Sequence, residues 1–505
     1  MVKVATPLGD IEGVPFAGGV EFRGVPFAAP PSAENRFRAP QPLQPWQGTL
    51  RANRYRQAAW QLPNPFMGAD QIADDCLYLN IWVPEGDGPF PVMVWIHGGG
   101  YLSGTPSQLL YNGRRLAQQQ QVIVVNVSYR LGAWGYGWFG DLVADLPCDT
   151  NLGVRDQIAA LQWVQQHIHC FGGDAGQVTV FGESAGGFSV ATLLAIPQAT
   201  ALFQRAIVQS GAADFVVSRD EANRLAALFI EQLPQNVSPQ QALLDIAPRD
   251  FVRIQSNLLE QRVQRGLRDS TPMRGMIYMP MVDNDLIHEL PLEAIRRGSA
   301  GQVAVIAGAC RDEWNLFQYA QPFNGGKSLE ALQKISHAEV EQRINRLLPK
   351  ASTEDIRSWC EQVKVHPARS ALDCVSALET DRIFRVPTAR LLDALHEAGN
   401  PVWGYLLTQE TEIMGLPMGA CHVLDVPLVF GLVDLPVGQF FTGGGDVMQQ
   451  LSADMQHAWG RFAQGENPDW APWGEGRQAK NWGPGPALVP LLSAWQEDFW
   501  RAFIP

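Results

Sequence analysis

The sequence predicts an α/β fold with a large, mostly parallel central sheet flanked by helices, antiparallel strands at the N-terminal edge of the sheet, and helical cap insertions. Short alternating segments separated by Pro and Gly fill the first ninety residues, which is typical of antiparallel edge strands. Beyond them, apolar runs of strand length alternate with helical patterns, which predicts parallel strands joined by right-handed crossovers. Charged, mostly helical stretches later in the chain indicate the cap.

The edge strands and the buried strands differ in pattern. Val20–Phe27 and Cys76–Val83 alternate in polarity, as strands with one solvated face do. The predicted buried strands are largely apolar: Pro91–Ile96, Gln121–Arg130, Val178–Phe181, Arg205–Gln209, Val303–Ala307 and Val402–Leu407. Helical patterns occupy Asn151–Gln166, Arg219–Gln232, Pro239–Ala247, Leu329–Leu348 and Ala389–Ala398. Because ligands collect at the carboxyl ends of parallel strands, the residues that follow these strands are the candidates for function.

The domain organisation is expected to be simple. A length of 505 residues would by itself allow three domains. No Ser/Gly-rich or Pro-rich linker, internal repeat or low-complexity tract marks a boundary. We therefore expect a single domain over residues 1–505, with helical cap or insertion regions at approximately 218–275 and 320–380.

The composition excludes several classes of partner and cofactor. The chain has 38 Lys and Arg residues, which are scattered, and 51 Asp and Glu residues, so its net charge is −13. Nucleic acid and anionic membranes are therefore not expected partners. No apolar run approaches the ~18 residues that a membrane span needs, and no signal-peptide pattern begins the chain, so we expect a cytoplasmic protein. The seven cysteines are odd in number and lack C-x-x-C spacing, which argues against a disulfide framework and a metal site. Monomer and homodimer both remain open.

A glycine-flanked serine is the central feature of the sequence. The run Val178–Phe181 stops at Gly182-Glu183-Ser184-Ala185-Gly186 and continues as a helical pattern. This strand, sharp turn and helix form the G-x-S-x-G nucleophile elbow, in which Ser184 would be exposed at the apex. Because a serine hydroxyl is a weak nucleophile at neutral pH, Ser184 needs a base, a group that orients the base, and donors for an oxyanion.

Later residues supply candidates for the base and its orienting acid. In this fold class the order along the chain is serine, acid, histidine. The strand Val303–Ala307 is followed by Asp312 and Glu313, and the spacing alone does not choose between these two carboxylates. His422 lies in a loop after the strand Val402–Leu407, where a mobile imidazole on a rigid scaffold is expected.

A glycine loop supplies the candidate oxyanion donors. The strand Pro91–Ile96 runs into His97-Gly98-Gly99-Gly100-Tyr101, where backbone N–H groups can face a ligand without intervening side chains. In hydrolases with a nucleophile elbow, such a loop acts together with the N–H that follows the serine, here that of Ala185. Tyr101, Trp314 and Phe317 are aromatic residues near these motifs that could shape a substrate pocket.

At this point the chain resembles the type-B carboxylesterase family of the α/β-hydrolase fold, which includes cholinesterases and bacterial para-nitrobenzyl esterases. The matching motifs follow the family order: Phe22–Phe27, Asp75–Trp82, Trp95–Gly100, Asn126–Gly132, Phe171–Asp174, Gly182–Gly186, Gln209–Gly211, Arg311–Glu313, and His422 with Val429–Gly431. The resemblance implies that Glu313 is the acid and His422 the base. It also implies that Gly99, Gly100 and Ala185 are the oxyanion donors.

Further roles follow from the same resemblance. Glu183 corresponds to an acidic neighbour of the nucleophile, Ser210 to a hydroxyl that hydrogen-bonds the acid, and Arg130 with Asp156 to a structural ion pair. Trp314 stands where the family usually has glycine. The segment Tyr278–Asn284 corresponds to an acyl-pocket stretch that normally ends in Asp-Gly, and no cysteine precedes Cys76 to pair with it, unlike in secreted members.

The sequence therefore predicts a serine carboxylesterase that works through an acyl-enzyme without metal or organic cofactor. The expected partner is a small-molecule ester, and the family's glycine loop implies room for bulky or tertiary alcohols. Two alternatives remain: a non-catalytic, cholinesterase-like adhesion or scaffold protein, and the same triad acting on amides, thioesters or carbamates.

Overall fold

The apolar runs of the sequence form the strands of one large mixed sheet. The computed structural model describes residues 1–63, 71–261, 276–319, 328–365 and 370–503. Within these ranges the strands are β1 (Val2–Thr6), β2 (Gly9–Phe16), β3 (Gly19–Pro26), β4 (Thr49–Arg51), β5 (Tyr78–Pro84), β6 (Phe90–Ile96), β7 (Ile123–Val127), β8 (Gly173–Glu183), β9 (Arg205–Gln209), β10 (Ala304–Cys310), β11 (Val402–Leu407), β12 (Thr411–Ile413), β13 (Leu416–Gly419), β14 (Gln478–Trp482) and β15 (Leu488–Pro490).

The strand order confirms the predicted architecture. The main sheet runs β1-β2-β3-β5-β7-β6-β8-β9-β10-β11-β14-β15, with β4 beside β2, while β12 and β13 form a separate hairpin. Pairing is antiparallel from β1 to β7 along this order. It is parallel from β7 to β14, and β15 returns antiparallel. The carboxyl ends of β6, β8 and β10 therefore lie at the same edge of the sheet.

The central strands are apolar because both faces of the sheet are covered. Along β6, Val92, Val94 and Ile96 belong to one buried apolar cluster, whereas Met93 and Trp95 belong to another. Alternate side chains of a strand point to opposite faces, so the two clusters lie on the two sides of the sheet. A strand buried on both faces reads as continuously apolar, which explains the pattern seen in the sequence.

Helices follow most strands and cover both faces. They are α1 (Arg114–Gln120), α2 (Gly132–Tyr136), α3 (Leu152–His167), α4 (Ala185–Leu194), α5 (Pro197–Thr200), α6 (Arg219–Ile230), α7 (Pro239–Asp245), α8 (Pro248–Gln261), α9 (Pro291–Arg296), α10 (Trp314–Tyr319), α11 (Leu329–Gln333), α12 (His337–Leu347), α13 (Thr353–Gln362), α14 (Asp373–Thr380), α15 (Val386–Glu397), α16 (Asp425–Val429), α17 (Pro436–Thr442), α18 (Asp446–Ala463) and α19 (Ala494–Arg501). A π-helical turn over Asp381–Arg385 joins α14 to α15. Across the described ranges, none of the helices combines the length and apolar character that crossing a bilayer requires.

One predicted helix is wrong in extent. Leu329–Leu348 was expected to be continuous, but it forms α11 and α12 with a break between them. The reason is local, since Ser336 accepts a hydrogen bond from the backbone N–H of Glu339 and the Glu339 side chain bonds back to the Ser336 backbone. Such a capping box starts a new helix inside an otherwise periodic stretch.

The regions expected to cap the site are helical where they are described. Residues 218–261 contain α6, α7 and α8, and residues 262–275 of the same expected region lie outside the described residues. The second region contains α11 to α14, while residues 320–327 and 366–369 lie outside the described residues. The single-domain division and the capping role stay predictions.

A buried ion pair ties the segment after β7 to α3. Arg130 and Asp156 are both fully buried, and two guanidinium nitrogens of Arg130 donate to the carboxylate at 2.7 and 2.8 Å. The backbone N–H of Arg130 also donates to Asp156 Oδ2 at 3.0 Å. The remaining guanidinium nitrogen donates to the carbonyl of Arg38 at 2.7 Å. The pair therefore holds three parts of the chain together without access to water.

Replacing Asp156 by Asn should lower the free energy of unfolding by about 3–5 kcal/mol, because the Arg130 charge would be left buried without its counter-ion. Urea unfolding followed by tryptophan fluorescence measures the change. The matched control is Asp250→Asn, whose partner Arg253 is exposed, and it should change the free energy by no more than about 0.5 kcal/mol. An Asp156→Asn protein that unfolds at the same urea concentration as the unsubstituted protein would contradict a structural role for the pair.

Candidate active site

Ser184 occupies a strained turn between β8 and α4. Its backbone has φ 58° and ψ −125°, a conformation that residues with a side chain rarely adopt. The turn is tight, since a Cβ added at Gly186 would lie 2.0 Å from the carbonyl oxygen of Ile96, and one at Gly182 would lie 2.6 Å from the backbone of Gly186. The strand, turn and helix of the predicted elbow are therefore present, and only glycine fits two residues before and two residues after the serine.

His422 is brought to this edge of the sheet by the hairpin β12–β13 and the start of α16. Its Nδ1 lies 2.6 Å from Glu313 Oε2, and both side chains are buried. The other carboxylate oxygen of Glu313 accepts the backbone N–H of Cys310 at 2.7 Å, at the end of β10. Both oxygens of Glu313 are thus engaged, which fixes the orientation of the imidazole.

The alternative acid, Asp312, makes different contacts. Its Oδ2 accepts the backbone N–H of Ala420 at 2.9 Å and a guanidinium N–H of Arg311 at 2.7 Å. The backbone N–H of Asp312 donates to the carbonyl of Ala420 at 2.9 Å. Asp312 therefore anchors the loop that carries the histidine, and of these two carboxylates Glu313 contacts the imidazole.

The second ring nitrogen of His422 faces Glu183. Its Nε2 lies 3.0 Å from Glu183 Oε1, although this pair does not complete a hydrogen bond of standard geometry. The hydrogen bonds of the described residues do not include one between Ser184 Oγ and the imidazole. Hydrogen bonds of a catalytic site are often long without substrate, and they tighten when the substrate is bound. Glu183, Ser184 and His422 are all almost fully buried at this point.

One further carboxylate completes the surroundings of the imidazole. Asp425 lies in the first turn of α16, where its Oδ2 accepts the Gln209 amide at 2.9 Å and the Tyr405 hydroxyl at 2.8 Å. Asp425 was not among the residues predicted for the site. His422 precedes α16, and Val423 between them has a φ of 74°, so the helical i,i+3 spacing does not predict where Asp425 lies.

These carboxylates change the pKa values of one another and of the histidine. Burial raises the pKa of Glu183, Asp425 and Glu313 raise it further, and the positive His422 opposes them. Burial lowers the pKa of His422, but the negative charges of Glu183 and Glu313 outweigh it, so the pKa lies above its ordinary value. Burial likewise raises the pKa of Asp425. The site therefore favours a protonated, positively charged imidazole.

The loop after β6 lies directly against the elbow. A Cβ added at Gly98 would lie 3.0 Å from the Ser184 Cβ, so the loop lies directly against Ser184. Gly99 and Gly100 have φ of 113° and 63°, which glycine adopts without strain. The His97 carbonyl accepts the Tyr129 hydroxyl at 2.7 Å, and burial lowers the pKa of His97 to about 4, so this ring is neutral at pH 7.

Aromatic side chains form one wall beside the imidazole. The rings of Phe317 and Phe384 lie 5.0 and 4.9 Å from the His422 ring, measured between centroids. Trp314 packs on Phe317 at 4.7 Å, and its backbone N–H donates to Thr380 Oγ1 at 2.9 Å. Phe384 comes from the π-helical turn and was not anticipated, because its position depends on how the helices α14 and α15 pack.

Two other residues lie differently from the expectation. Ser210 Oγ is buried without a hydrogen-bond partner among the described residues, so the expected bond to Glu313 is not formed. The side chain of Tyr101 is fully buried and packs on Tyr136 with ring centroids 4.6 Å apart. In the described ranges, no group of three His, Cys, Asp or Glu side chains is arranged to hold a metal ion.

Comparison with known proteins identifies the family. The Carboxylesterase family matches residues 1–486 of the chain. The para-nitrobenzyl esterase of Bacillus subtilis (strain 168) is 32% identical over 487 residues, which cover 95% of this chain and 91% of that protein. The acetylcholinesterase of Bungarus fasciatus is 32% identical over 502 residues, covering 92% of this chain and 79% of that protein.

Solved structures agree with the sequence comparison. A thermophilic para-nitrobenzyl esterase superposes with a TM-score of 0.83 at 30% identity, covering 98% of this chain and 99% of that chain. The carboxylesterase Est55 of Geobacillus stearothermophilus superposes with a TM-score of 0.84 at 29% identity, covering 99% of both chains. The predicted resemblance and the α/β-hydrolase fold are thus confirmed. The chain belongs to the type-B carboxylesterase family and is a carboxylic ester hydrolase.

Proposed function

We propose that the protein hydrolyses carboxylic esters through a Ser184 acyl-enzyme, with His422 as base and Glu313 as the acid that orients it. One observation carries the proposal: the 2.6 Å contact between His422 Nδ1 and a Glu313 carboxylate that accepts a second bond from the backbone. This contact fixes the imidazole against Glu183, the residue before the strained serine, and leaves Nε2 as the ring nitrogen that would act as base in the proposed mechanism. A non-catalytic scaffold has no need of such an arrangement.

The reaction starts with attack of Ser184 Oγ on the ester carbonyl. His422 Nε2 takes the hydroxyl proton as the bond forms, and the negative oxygen is met by the backbone N–H groups of Gly99, Gly100 and Ala185. His422 then gives its proton to the leaving alcohol. Water, activated by the same imidazole, attacks the acyl-enzyme and releases the acid. Besides the ester and water, no step requires a group from outside the chain.

Glu183 has a role in this scheme because it faces Nε2. The imidazole is neutral before attack and positive after it, so a carboxylate 3.0 Å from Nε2 stabilises the state that forms as the proton moves. An interaction that is stronger in the transition state than in the ground state accelerates the reaction. Glu183 therefore assists the base, and the negative charge of Asp425 also raises the pKa of His422.

The substrate is proposed to be a small ester of broad type. The Gly99–Gly100 loop carries no side chains toward the nucleophile, so it leaves room for bulky alcohol groups, including tertiary ones. The wall of Phe317, Phe384 and Trp314 provides an apolar surface on the other side of the imidazole. We also propose a reducing compartment, the cytoplasm, because all seven cysteines are free thiols.

Replacing Ser184 by Ala should lower kcat for p-nitrophenyl acetate by a factor of about 10⁴–10⁶, since the covalent route is lost while substrate binding remains. The same change should abolish labelling by a fluorophosphonate, read by intact-protein mass spectrometry. Ser238→Ala removes an exposed helix cap and should leave both readouts unchanged. Labelling that persists in Ser184→Ala would place the nucleophile elsewhere.

The activity should depend on pH through His422. Because the pKa of His422 is raised, the imidazole keeps its proton to higher pH, and kcat/KM should rise with pH through an apparent pKa above 6.5. Glu183→Gln removes a negative charge beside Nε2, so this acid limb should move to lower pH by about one unit. The plateau kcat should also fall, since the imidazolium loses stabilisation.

The control for this pH measurement is Glu466→Gln. It makes the same chemical change at an exposed carboxylate that pairs with Arg461, and it should leave the profile unchanged. An acid limb that stays in place or moves to higher pH in Glu183→Gln would show that Glu183 does not act on the base.

A tertiary-alcohol ester tests the room above the glycine loop. We expect tert-butyl acetate to be hydrolysed at a measurable rate, slower than n-butyl acetate, while acetanilide should be a much poorer substrate because amine leaving groups depart less easily. Release of tert-butanol, followed by gas chromatography, gives the rate. Good hydrolysis of n-butyl acetate with no detectable tert-butanol would exclude tertiary alcohols from the substrate range.

A further inference from the structure

Gln61 is a buried glutamine that holds the far end of the glycine loop. The backbone N–H of Gly104 donates to Gln61 Oε1 at 2.8 Å, and Gln61 Nε2 donates to the Gly104 carbonyl at 2.8 Å. The same nitrogen donates to the Ala59 carbonyl at 3.1 Å. Because the amide has two N–H hydrogens and one oxygen, all of its polar atoms are engaged, and the residue is only 1% exposed.

The segment that carries Gln61 is itself anchored. The Trp60 ring stacks on the Trp134 ring with centroids 4.3 Å apart, and Trp60 Nε1 donates to Asp74 Oδ1 at 3.0 Å. Gln61 therefore extends from a backbone that packing and hydrogen bonding hold in place. Its reciprocal hydrogen bonds tie Gly104, which lies 43 positions later in the chain, to that fixed segment.

Gly104 packs against the first residues of the same loop. Its φ of 119° lies in a region that residues with a side chain rarely adopt. A Cβ added there would lie 2.4 Å from His97 Nδ1 and 2.6 Å from the Gly98 carbonyl oxygen. The loop begins at the end of β6, which β7 and β8 hold on both sides. The hydrogen bonds from Gln61 therefore fix the second end of the loop directly against the first.

The N–H of Gly100 is aimed through the carbonyl of the same peptide unit. That carbonyl, of Gly99, accepts the backbone N–H groups of Leu102 and Ser103 at 3.1 Å each, and the Ser103 hydroxyl at 3.3 Å. In a planar trans peptide the N–H points opposite to the C=O, so the Gly100 N–H is directed away from these donors. Because Ser103 directly precedes Gly104, a displacement of Gly104 would turn this peptide unit.

The N–H of Gly99 is oriented in the same way. The carbonyl of its peptide unit, that of Gly98, lies 2.8 Å from His97 Nδ1, and the His97 ring packs on Gly104. The Gly99 N–H is therefore directed away from the His97 ring. Both proposed donors of the loop thus depend on groups that contact Gly104 or precede it, and Gln61 holds Gly104 from outside the loop.

We propose that Gln61 is a positioning residue, whose reciprocal hydrogen bonds to Gly104 keep the glycine loop closed so that its N–H groups converge on the oxyanion. This inference rests on the proposed function. Backbone donors stabilise an oxyanion only when they are aimed before the reaction, and small displacements are costly. Gln61 acts through the loop backbone rather than on the substrate, since both hydrogens of its amide are already bonded.

The test is Gln61→Met, which keeps the length of the side chain and removes the amide. We expect kcat for p-nitrophenyl acetate to fall about 10- to 100-fold, because the donors are misaimed, with KM unchanged within about threefold. The value of kcat is expressed per site titrated to completion by a fluorophosphonate, so unfolded protein does not lower it. The apparent pKa of the acid limb should stay in place, because the bonds of Gln61 go to the backbone of Ala59 and Gly104.

A pair of inhibitors separates positioning from a general loosening of the pocket. A trifluoromethyl ketone forms a tetrahedral oxyanion on Ser184, whereas the alcohol with the same carbon skeleton binds without forming one. Gln61→Met should weaken binding of the ketone by the same factor as kcat/KM and change binding of the alcohol by less than about twofold. Equal weakening of both would indicate a damaged pocket and overturn the positioning role.

Gln165→Met is the matched control. Gln165 Nε2 donates to the carbonyls of Ala175 and Leu202 at 2.9 and 2.8 Å, so this amide also joins separate backbone segments. Those carbonyls lie near the amino ends of β8 and β9, at the edge of the sheet opposite to the elbow. The control should leave kcat and ketone affinity unchanged. Gln61→Leu, which lacks the amide and differs from methionine in shape, should repeat the loss of kcat.

The outcomes distinguish this inference from the proposed function. An unsubstituted protein that neither hydrolyses p-nitrophenyl acetate nor reacts with a fluorophosphonate would overturn both. An active protein in which Gln61→Met and Gln61→Leu keep kcat within about twofold would overturn only the positioning role. A loss of kcat that Gln165→Met shares would also overturn it, because removal of any bridging amide would then be sufficient.

Discussion

The close approach of three backbone segments is the constraint on which the site depends. The elbow between β8 and α4 packs so tightly against the end of β6 that a single methyl group at Gly186 would meet the Ile96 carbonyl at 2.0 Å. This approach places Ser184, Ala185 and the glycine loop together without any side chain between them. The strain at Ser184 persists because the parallel strands on both sides hold the turn in place.

Burial of charge is the second constraint. One imidazole lies among the carboxylates of Glu183, Glu313 and Asp425, which are all buried. Burying an ionised carboxylate without a partner costs free energy, and each of these carboxylates accepts hydrogen bonds or contacts the histidine. The arrangement favours a positive charge on His422, which is the charge that the proposed mechanism creates. A positive charge on His422 therefore both stabilises the buried carboxylates and matches the charge that forms in the proposed mechanism.

Much of the fold could be predicted because the signals were local. The strands Arg205–Gln209 and Val402–Leu407 were placed with the same bounds as β9 and β11, since continuous apolar runs between turns leave little choice. The break between α11 and α12 was missed, because a serine inside a periodic stretch is compatible both with the interior of a helix and with the cap of a new one. Phe384 was missed because its relation to His422 depends on helix packing between distant parts of the chain. Asp425 is close to His422 in sequence, but its position depends on the turn between them and on its bonds to Gln209 and Tyr405.

Local sequence patterns were enough to predict most strands and helices in their order, the elbow around Ser184 and the family motifs, because these depend on residues next to one another. It also determined, by resemblance, that Glu313 rather than Asp312 is the acid candidate. Three features of the site could not be predicted: Nε2 of His422 faces Glu183, Ser210 does not bond Glu313, and the Tyr101 side chain is buried in the core. These features depend on contacts between residues that are far apart in the sequence, and a local sequence pattern does not predict such contacts.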